Sequence, residues 1–292
     1  MLPRVIWTYW DTPPLPPVVQ HCVRSWRAQN PGWRVVVVDK RRVHDTLSPP
    51  AWFDTLIPQH QSDWVRLKLL AQNGGVWLDA SVYLLRPVTA WADRPDALNI
   101  FAISGIQLQG HDRARARVLG AQCVGFVQLE NWAFACPKGH DFVTAWLQQV
   151  ERSVVMGSTA YVSWLKQNRL YPECFTEATH RLPYFVNFLA ATVVHQNRLY
   201  SQPLHVLPSS MSFAESVRGL ASGPKDRLFV KMTGGDRTLY GLAAPRGLYA
   251  PGSLAQIAYG MPRDPWPGRG RLLVEAALLC LVLMTASRAL AA

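Results

Sequence analysis

The chain has 292 residues, of which 49% are hydrophobic and 17% are charged, and this composition excludes an intrinsically disordered chain. A chain of this length can bury a full core as one large domain or two small ones. The formal net charge of +11 is typical either of a generally basic surface or of a protein that binds anionic lipid or a phosphate-bearing substrate. Because the sequence contains no long run of basic residues, we expect no nucleic-acid partner.

The five cysteines are odd in number and include no C-x-x-C pair, so neither a disulfide framework nor a zinc site is predicted. Buried thiols in a reducing compartment are the simplest interpretation. Residues 1–7 lack the charged-then-apolar pattern of a signal peptide and are predicted to lead directly into the first strand. We therefore expect a cytoplasmic protein.

The first elements alternate between strand and helix. Residues 4–10 are aromatic and β-branched and stop at Pro13 and Pro14, which predicts a strand followed by a turn. Residues 18–28 have the apolar spacing of a helix, and residues 35–38 form a wholly apolar strand of the kind that is covered on both faces. This order predicts an α/β fold with a mostly parallel sheet, whose ligands bind beyond the carboxyl ends of the strands.

A polar helix comes next. Ser62 is predicted to cap this helix, with Asp63 in its first turn. Asp63 and Arg66 are three residues apart, so their side chains should share one helical face. Gly74 and Gly75 are predicted to end the helix.

The glycine pair leads into a predicted strand over residues 76–84. Its alternation places Trp77, Asp79, Ser81 and Tyr83 on one face. Burying a carboxylate beside a hydroxyl is unfavourable unless other groups pair with them. The pattern therefore indicates a ligand site at the end of a strand.

The later elements are less regular, although Asp141 and Pro183 mark the starts of two helical patterns. The predicted strands cover residues 99–104, 124–135 and 227–232, and the predicted helices cover residues 141–154, 184–194 and 253–259.

The organisation predicted for the chain is one domain over residues 1–260, a Pro/Gly/Arg-rich linker over 261–271 and an apolar tail over 272–292. The apolar run of the tail is shorter than the roughly 20 residues that span a membrane. It is compatible with a marginal tail anchor, an interfacial helix or a docking helix, and so with association with an anionic membrane surface.

Several blocks of the sequence resemble the capsular polysaccharide synthesis protein family. The opening blocks are residues 3–10, 15–17, 22–26 and 30–33, the central blocks are residues 62–66 and 74–81, and residues 231–233 resemble a late Lys-Leu-Thr segment. The resemblance covers most of residues 3–258. The family is similar to the DxD-type sugar transferases, so the resemblance implies a GT-A-like α/β fold, with a mixed, mostly parallel sheet flanked by helices, and a nucleotide-sugar donor.

The resemblance also implies roles for single residues. Asp63 and Arg66 would hold the donor sugar and its phosphate, for which the planar guanidinium is well suited. Asp79 would contact ribose or sugar hydroxyls, or a metal through water. Asn131 would lie near the donor sugar, and Lys231 would stabilise the leaving diphosphate.

Three rings at the start of the chain are further candidates for donor binding. Trp7, Tyr9 and Trp10 are expected to contribute a stacking surface for the nucleotide base. Such a run in a strand is also compatible with rings that belong to the core.

Ser81 departs from the family pattern, because the related transferases carry a second aspartate at this position. That aspartate ligates manganese in them, and hard divalent cations prefer carboxylate oxygens. We therefore expect Mn²⁺ or Mg²⁺ at Asp79 and Ser81 only if the serine hydroxyl, the diphosphate and water complete the shell.

Each candidate also has an interpretation that involves no ligand. Asp63 and Arg66 have the spacing of a surface ion pair, and Asp79 that of a residue satisfying backbone amides at a strand end. Asn131 is also typical of a turn, and Lys231 of a solvated strand.

The function that this sequence favours is a glycosyltransferase of polysaccharide or glycoconjugate synthesis. It would move a hexose from a nucleotide sugar to a hydroxyl of a glycan or lipid-linked acceptor, with retention of configuration implied only by the relatives. The alternative is a catalytically inactive protein that binds a nucleotide or glycan on the same fold.

Overall fold

The computed structural model describes residues 1–104, 127–172, 175, 182–209 and 228–231. The strands are β1 (Val5–Tyr9), β2 (Arg34–Val38), β3 (Gly75–Leu78), β4 (Val82–Leu84), β5 (Leu98–Ser104), β6 (Val127–Cys136), β7 (Leu204–Pro208) and β8 (Phe229–Lys231). The α-helices are α1 (Pro17–Gln29), α2 (Lys40–Leu47), α3 (Pro58–Asn73), α4 (Asp141–Met156), α5 (Ser158–Gln167) and α6 (Leu182–Gln196).

Six strands form one mixed sheet in the order β2–β1–β3–β6–β5–β7, and β4 and β8 form a separate antiparallel ribbon. In the main sheet β1 is parallel to β2 and β3, β5 is parallel to β7, and β6 is antiparallel to both of its neighbours. Five strands therefore share one direction, which confirms the predicted mixed, mostly parallel sheet. The carboxyl ends of β1, β2 and β3 consequently meet at one edge, where such sheets bind ligands.

Helices cover both faces of this sheet. On one face α3, α4 and α6 bury a cluster that includes Trp64 and Trp146. On the other face α1 packs with the β4–β8 ribbon around Trp26 and Phe229. The Trp26 indole nitrogen donates to the Val82 carbonyl over 2.7 Å, which ties the ribbon to α1.

Helix α3 begins earlier than predicted. Pro58 is its first residue and Ile57 occupies the N-cap position, so the prediction that Ser62 caps the helix is wrong. Proline favours the first helical position because its ring presets φ and its missing N–H needs no partner there. Asp63 and Arg66 lie within the helix and contact each other at 3.3 Å, which confirms their shared face.

The strand predicted over residues 76–84 is two strands. The chain turns at Asp79, whose carbonyl accepts a hydrogen bond from the Val82 amide at 2.9 Å. β3 before the turn belongs to the main sheet, whereas β4 after it pairs with β8. The turn therefore places Asp79 at the carboxyl end of β3.

Other predicted elements are present with shifted ends. β5, β6, β8, α4 and α6 correspond to predicted segments, whereas α2, α5 and β7 were not predicted. The predicted helix 253–259, the linker and the apolar tail lie outside the described residues. Within the described ranges, no helix is long and apolar enough to cross a membrane.

The glycine pair forms the tight junction between α3 and β3. Gly74 has φ +65° and Gly75 has φ +100°, values that L side chains rarely adopt. A Cβ on Gly74 would lie 2.4 Å from the backbone nitrogen of Lys138. Both the conformation and the space at this junction therefore require glycine.

We expect Gly74→Ala to destabilise the fold much more than a glycine substitution in open space. Gly32→Ala is the matched control, because Gly32 has φ +80° but a Cβ added there would have nothing within 4 Å. The control should cost about 1–2 kcal/mol for left-handed backbone alone, and Gly74→Ala should cost at least about 2 kcal/mol more. Urea unfolding of the three proteins measures both values, and equal losses would contradict the close-packing argument.

Candidate active site

A cavity of about 470 Å³ opens at the carboxyl ends of β1 and β3, beside the first turns of α3. This is the size range of small-molecule sites, and the position is the one expected for a parallel sheet. Of the residues predicted as functional, those that line the cavity are Tyr9, Trp10, Asp63, Arg66, Asp79, Ser81, Asn131 and Lys231.

Arg66 connects the helix and strands that form the cavity. Its Nη1 donates to the backbone carbonyl of Asn131 at 2.7 Å and lies 3.3 Å from Asp63 Oδ1. Its Nη2 donates to Asp79 Oδ1 at 3.2 Å and to the Ser62 hydroxyl at 3.4 Å. The side chain is only 5% exposed, so this is a buried ion-pair network and not the surface pair that the spacing alone allowed.

Asp79 is surrounded by donors. Its Oδ1 accepts from the Trp77 indole nitrogen at 3.0 Å as well as from Arg66, and its Oδ2 accepts from Lys231 Nζ at 2.5 Å. Burial alone would raise the pKa of Asp79, but the charges of Lys231 and Arg66 and the hydrogen bonds from Lys231 and Trp77 outweigh it. The pKa therefore lies below the ordinary aspartate value, and the group is ionised at neutral pH.

Asp63 is held by residues that the sequence did not suggest. The Asn187 side-chain amide, on α6, donates to Asp63 Oδ1 at 2.7 Å. His60 Nδ1 lies 3.4 Å from the other carboxylate oxygen. Asn187 is 1% exposed and 124 residues away, so no local pattern could have revealed it.

An irregularity in β6 contributes a third side of the cavity. Ala102 is opposite Leu129 but Ile100 is opposite Phe134, so β6 carries extra residues between these pairs. Glu130, Asn131 and Trp132 lie there and line the cavity. Such irregularities often redirect side chains beside functional sites.

Glu130 is a cavity residue that sequence reasoning missed. It is 3% exposed, and its Oε2 accepts from the Trp132 indole nitrogen at 2.7 Å. The available signal was an acidic residue within a strand that is otherwise largely apolar.

The three candidate rings separate into two groups. Tyr9 and Trp10 line the cavity, and the Tyr9 hydroxyl donates to Gln61 Oε1 at 2.7 Å. The structure does not bring Trp7 to the cavity: its ring is 7% exposed in the core, and its indole nitrogen donates to the Gly74 carbonyl at 3.0 Å. Trp7 therefore packs the α3–β3 junction, as the core interpretation of the aromatic run allows.

Ser81 lines the same cavity and is 5% exposed. It follows Asp79 within the turn between β3 and β4. Among the described residues, no three His, Cys, Asp or Glu side chains are grouped closely enough to hold a metal ion.

The fold is thus an α/β sheet with a charged cavity at its strand ends. The model of the capsular polysaccharide synthesis protein family matches residues 2–152, just over half of the chain, and the chain belongs to this family. The chain is 25% identical over 162 residues to the O-glycosyltransferase braB of Annulohypoxylon truncatum, covering 49% of this chain and 36% of that protein. It is 34% identical over 104 residues to the glycosyltransferase afumC of Aspergillus fumigatus, covering 30% and 27%. The matches thus span about a third of the length of these relatives.

Similar solved structures include a galactosyltransferase LgtC in complex with donor and acceptor sugar analogues, with 14% identity and a TM-score of 0.42 over 91% of this chain and 99% of that one. Another is a glycosyltransferase involved in glycosylation of the major capsid of PBCV-1, with 13% identity and a TM-score of 0.39 over 80% and 96%. The sheet order and the flanking helices confirm the predicted α/β class with a mixed, mostly parallel sheet.

We expect Asp79→Asn to lower the free energy of unfolding at pH 7 by about 3 kcal/mol, because it removes the carboxylate charge that both Arg66 and Lys231 contact in a largely buried setting. The pKa of Asp79 is lower in the folded than in the unfolded chain. The contribution of Asp79 to the free energy of unfolding is therefore fully present above its pKa in the unfolded chain, about 4. This contribution is lost as the pH falls through its pKa in the folded protein. Urea unfolding at pH 7 and near pH 3 should show the difference between the two proteins shrinking in acid.

Asp54→Asn is the matched control. Hydrogen bonds from Lys40 and His44 also lower the pKa of Asp54, but this cluster is exposed and screened by solvent. At pH 7 the free energy of unfolding should fall clearly less in Asp54→Asn than in Asp79→Asn. Equal losses in the two variants would show that the Asp79 network is not protected from water.

Proposed function

We propose that the chain is a glycosyltransferase that moves a hexose from a nucleotide-sugar donor to a hydroxyl of a glycan or lipid-linked acceptor in polysaccharide or glycoconjugate synthesis. The observation that carries the proposal is the convergence of Asp63, Arg66, Asp79 and Lys231 on one cavity in a member of this family. The names of the two relatives, both glycosyltransferases, support it.

The cavity has separate groups for each part of such a donor. Lys231 and Arg66 supply positive charge for the diphosphate. Asp63, Asp79 and Asn131 supply oxygen acceptors for sugar hydroxyls. Within the part of the chain that the structure describes, nothing hydrogen-bonds to the Asn131 carboxamide, so this group can bind a hydroxyl without breaking an internal contact.

The nucleotide base would lie at the end of β1. Tyr9 and Trp10 line this side of the cavity, and Trp10 is partly exposed. A flat ring at the mouth of a charged cavity is suited to stacking on a base, because aromatic faces bind one another over a large apolar area.

In the transfer, the bond between the anomeric carbon and the diphosphate oxygen breaks and a bond from the acceptor oxygen to that carbon forms. The acceptor hydroxyl transfers its proton to the departing diphosphate oxygen, which also takes the electron pair of the broken bond. We assign to Lys231 the neutralisation of the charge that develops on this leaving group, and to the ionised Asp79 the stabilisation of the positive charge that develops on the sugar. Because the ion-pair network fixes both groups beforehand, little reorganisation is needed during the reaction.

Retention of configuration is part of the proposal, and NMR of the product anomer tests it.

The inactive binding protein remains the second candidate, favoured by one observation, the serine at position 81. Donor turnover separates the two, because a binding protein would be stabilised by nucleotide sugars without consuming them.

We expect Asn131→Ala to lower transfer without lowering stability. A panel of UDP- and GDP-sugars is first screened for a rise in melting temperature and for donor hydrolysis or transfer. With the active donor, kcat/KM should fall roughly 10–100-fold for Asn131→Ala, because a sugar contact is lost, while the melting temperature stays within about 1 °C. Asp79→Ala should abolish turnover.

Asn168→Ala is the control for this substitution. Asn168 caps the exposed end of α5, its side-chain amide donates to the Trp164 carbonyl and it does not line the cavity, so this change should leave kcat/KM unchanged. Unchanged turnover in Asn131→Ala, or retained turnover in Asp79→Ala, would contradict the assigned roles. Donor binding without turnover by any panel member would favour the binding protein.

A further inference from the structure

The carboxylate that the family resemblance assigns to a divalent metal is already engaged by the protein. Asp79 accepts hydrogen bonds from Trp77 and Arg66 at one oxygen and from Lys231 at the other. An ionised carboxylate offers about four lone-pair sites, so most are occupied. The side chains of Arg66, Lys231 and Asp79 are 5%, 12% and 22% exposed, so these contacts are largely shielded from solvent.

The neighbouring oxygens do not complete a site for a hard cation. Mn²⁺ and Mg²⁺ require several oxygen ligands and usually take carboxylates, but position 81 supplies a hydroxyl. Asp63 is engaged by Asn187 and Arg66, and Glu130 by Trp132. The residues present therefore do not fit the divalent ion that the resemblance implies.

The two cations at Asp79 supply the same charge as one divalent ion. Arg66 and Lys231 carry two fixed positive charges on either side of the carboxylate. A dication added there would lie beside both of them, where like charges repel strongly in a partly buried setting. The cation site of the cavity is thus already filled by protein groups.

The pairing of β4 with β8 determines the position of Lys231 beside Asp79. The chain turns after Asp79, and β4 then pairs with β8 so that Val82 is opposite Lys231. The ribbon therefore brings the ammonium group to the carboxylate from 152 residues further along the chain. A lysine at the last described position of a three-residue strand is held by this register and not by local sequence.

We propose that Lys231 takes the place of a divalent metal, so that this chain binds the diphosphate of its nucleotide ligand without Mn²⁺ or Mg²⁺. The proposal rests on the nucleotide-sugar site of the proposed function. It differs from that function in stating which positive charge contacts the diphosphate.

Calorimetric titration of the full chain with UDP and with GDP tests this, once in EDTA and once in MnCl₂. The Kd of the nucleotide that binds should agree within about threefold between the two conditions. Lys231→Ala should weaken binding at least tenfold in EDTA, and Lys231→Arg should restore most of it because it keeps the charge. An affinity at least tenfold tighter in MnCl₂, with the gain lost in Asp79→Asn, would overturn the proposal.

Lys40→Ala is the matched control for the lysine substitution. Lys40 also pairs with an aspartate, Asp54, at 2.8 Å, but the pair is exposed and neither residue lines the cavity. Nucleotide affinity should not change in this variant. If Lys40→Ala and Lys231→Ala weaken nucleotide binding equally, the weakening comes from general surface charge, and the role assigned to Lys231 is wrong.

Paramagnetic resonance of Mn²⁺ titrated into the full chain tests the same point without a nucleotide. Wild type should leave the free-ion signal unchanged, whereas the double variant Lys231→Ala, Ser81→Asp should reduce it, because it releases Asp79 and restores a second carboxylate. Binding of Mn²⁺ to wild type that is lost in Asp79→Asn would overturn the proposal. If no donor is turned over, the proposed transferase function is wrong but metal-independent nucleotide binding is not affected. If turnover appears only with Mn²⁺, the transferase function holds and the proposal that Lys231 replaces the metal is wrong.

Discussion

The burial of the Arg66 guanidinium is the constraint on which the rest of the cavity depends. A buried charge is unfavourable unless it is paired and hydrogen-bonded, and Arg66 meets this condition through Asp63, Asp79 and the Asn131 carbonyl. It also lies over the Trp77 ring, with 5.2 Å between the guanidinium carbon and the ring centre. Helix α3 and strands β3 and β6 must therefore keep fixed distances from one another, and this fixes the shape of the cavity.

The glycine junction allows this arrangement by letting helix and strand approach closely. A side chain at Gly75 would meet the side chain and carbonyl of Val5, and the Trp7 indole closes the junction by bonding to Gly74. The reversal at these glycines lets Arg66 and Asp79, only 13 residues apart in sequence, form a direct hydrogen bond in the cavity wall. The positive φ of both glycines thus has a direct consequence for the site, because a bulkier residue would move Arg66 away from its partners.

Much of the cavity nearest the helix could be predicted from the sequence. The three-residue spacing placed Asp63 and Arg66 on one face, and strand alternation placed Trp77 beside Asp79. These predictions succeeded because helix and strand periods are set by neighbouring residues. The start of α3 was misjudged because a proline was a stronger local signal than a serine cap.

The sequence by itself determined the α/β class, the helix, the glycine stop and the strand that carries Asp79. Only the tertiary structure decided that the strand breaks after Asp79, that Trp7 belongs to the core and that Asn187 and Lys231 hold the two carboxylates. The physical reason is that periodicity and turns are encoded over a few residues, whereas the pairing of a buried charge depends on which distant groups the packed sheet and helices bring within hydrogen-bond distance.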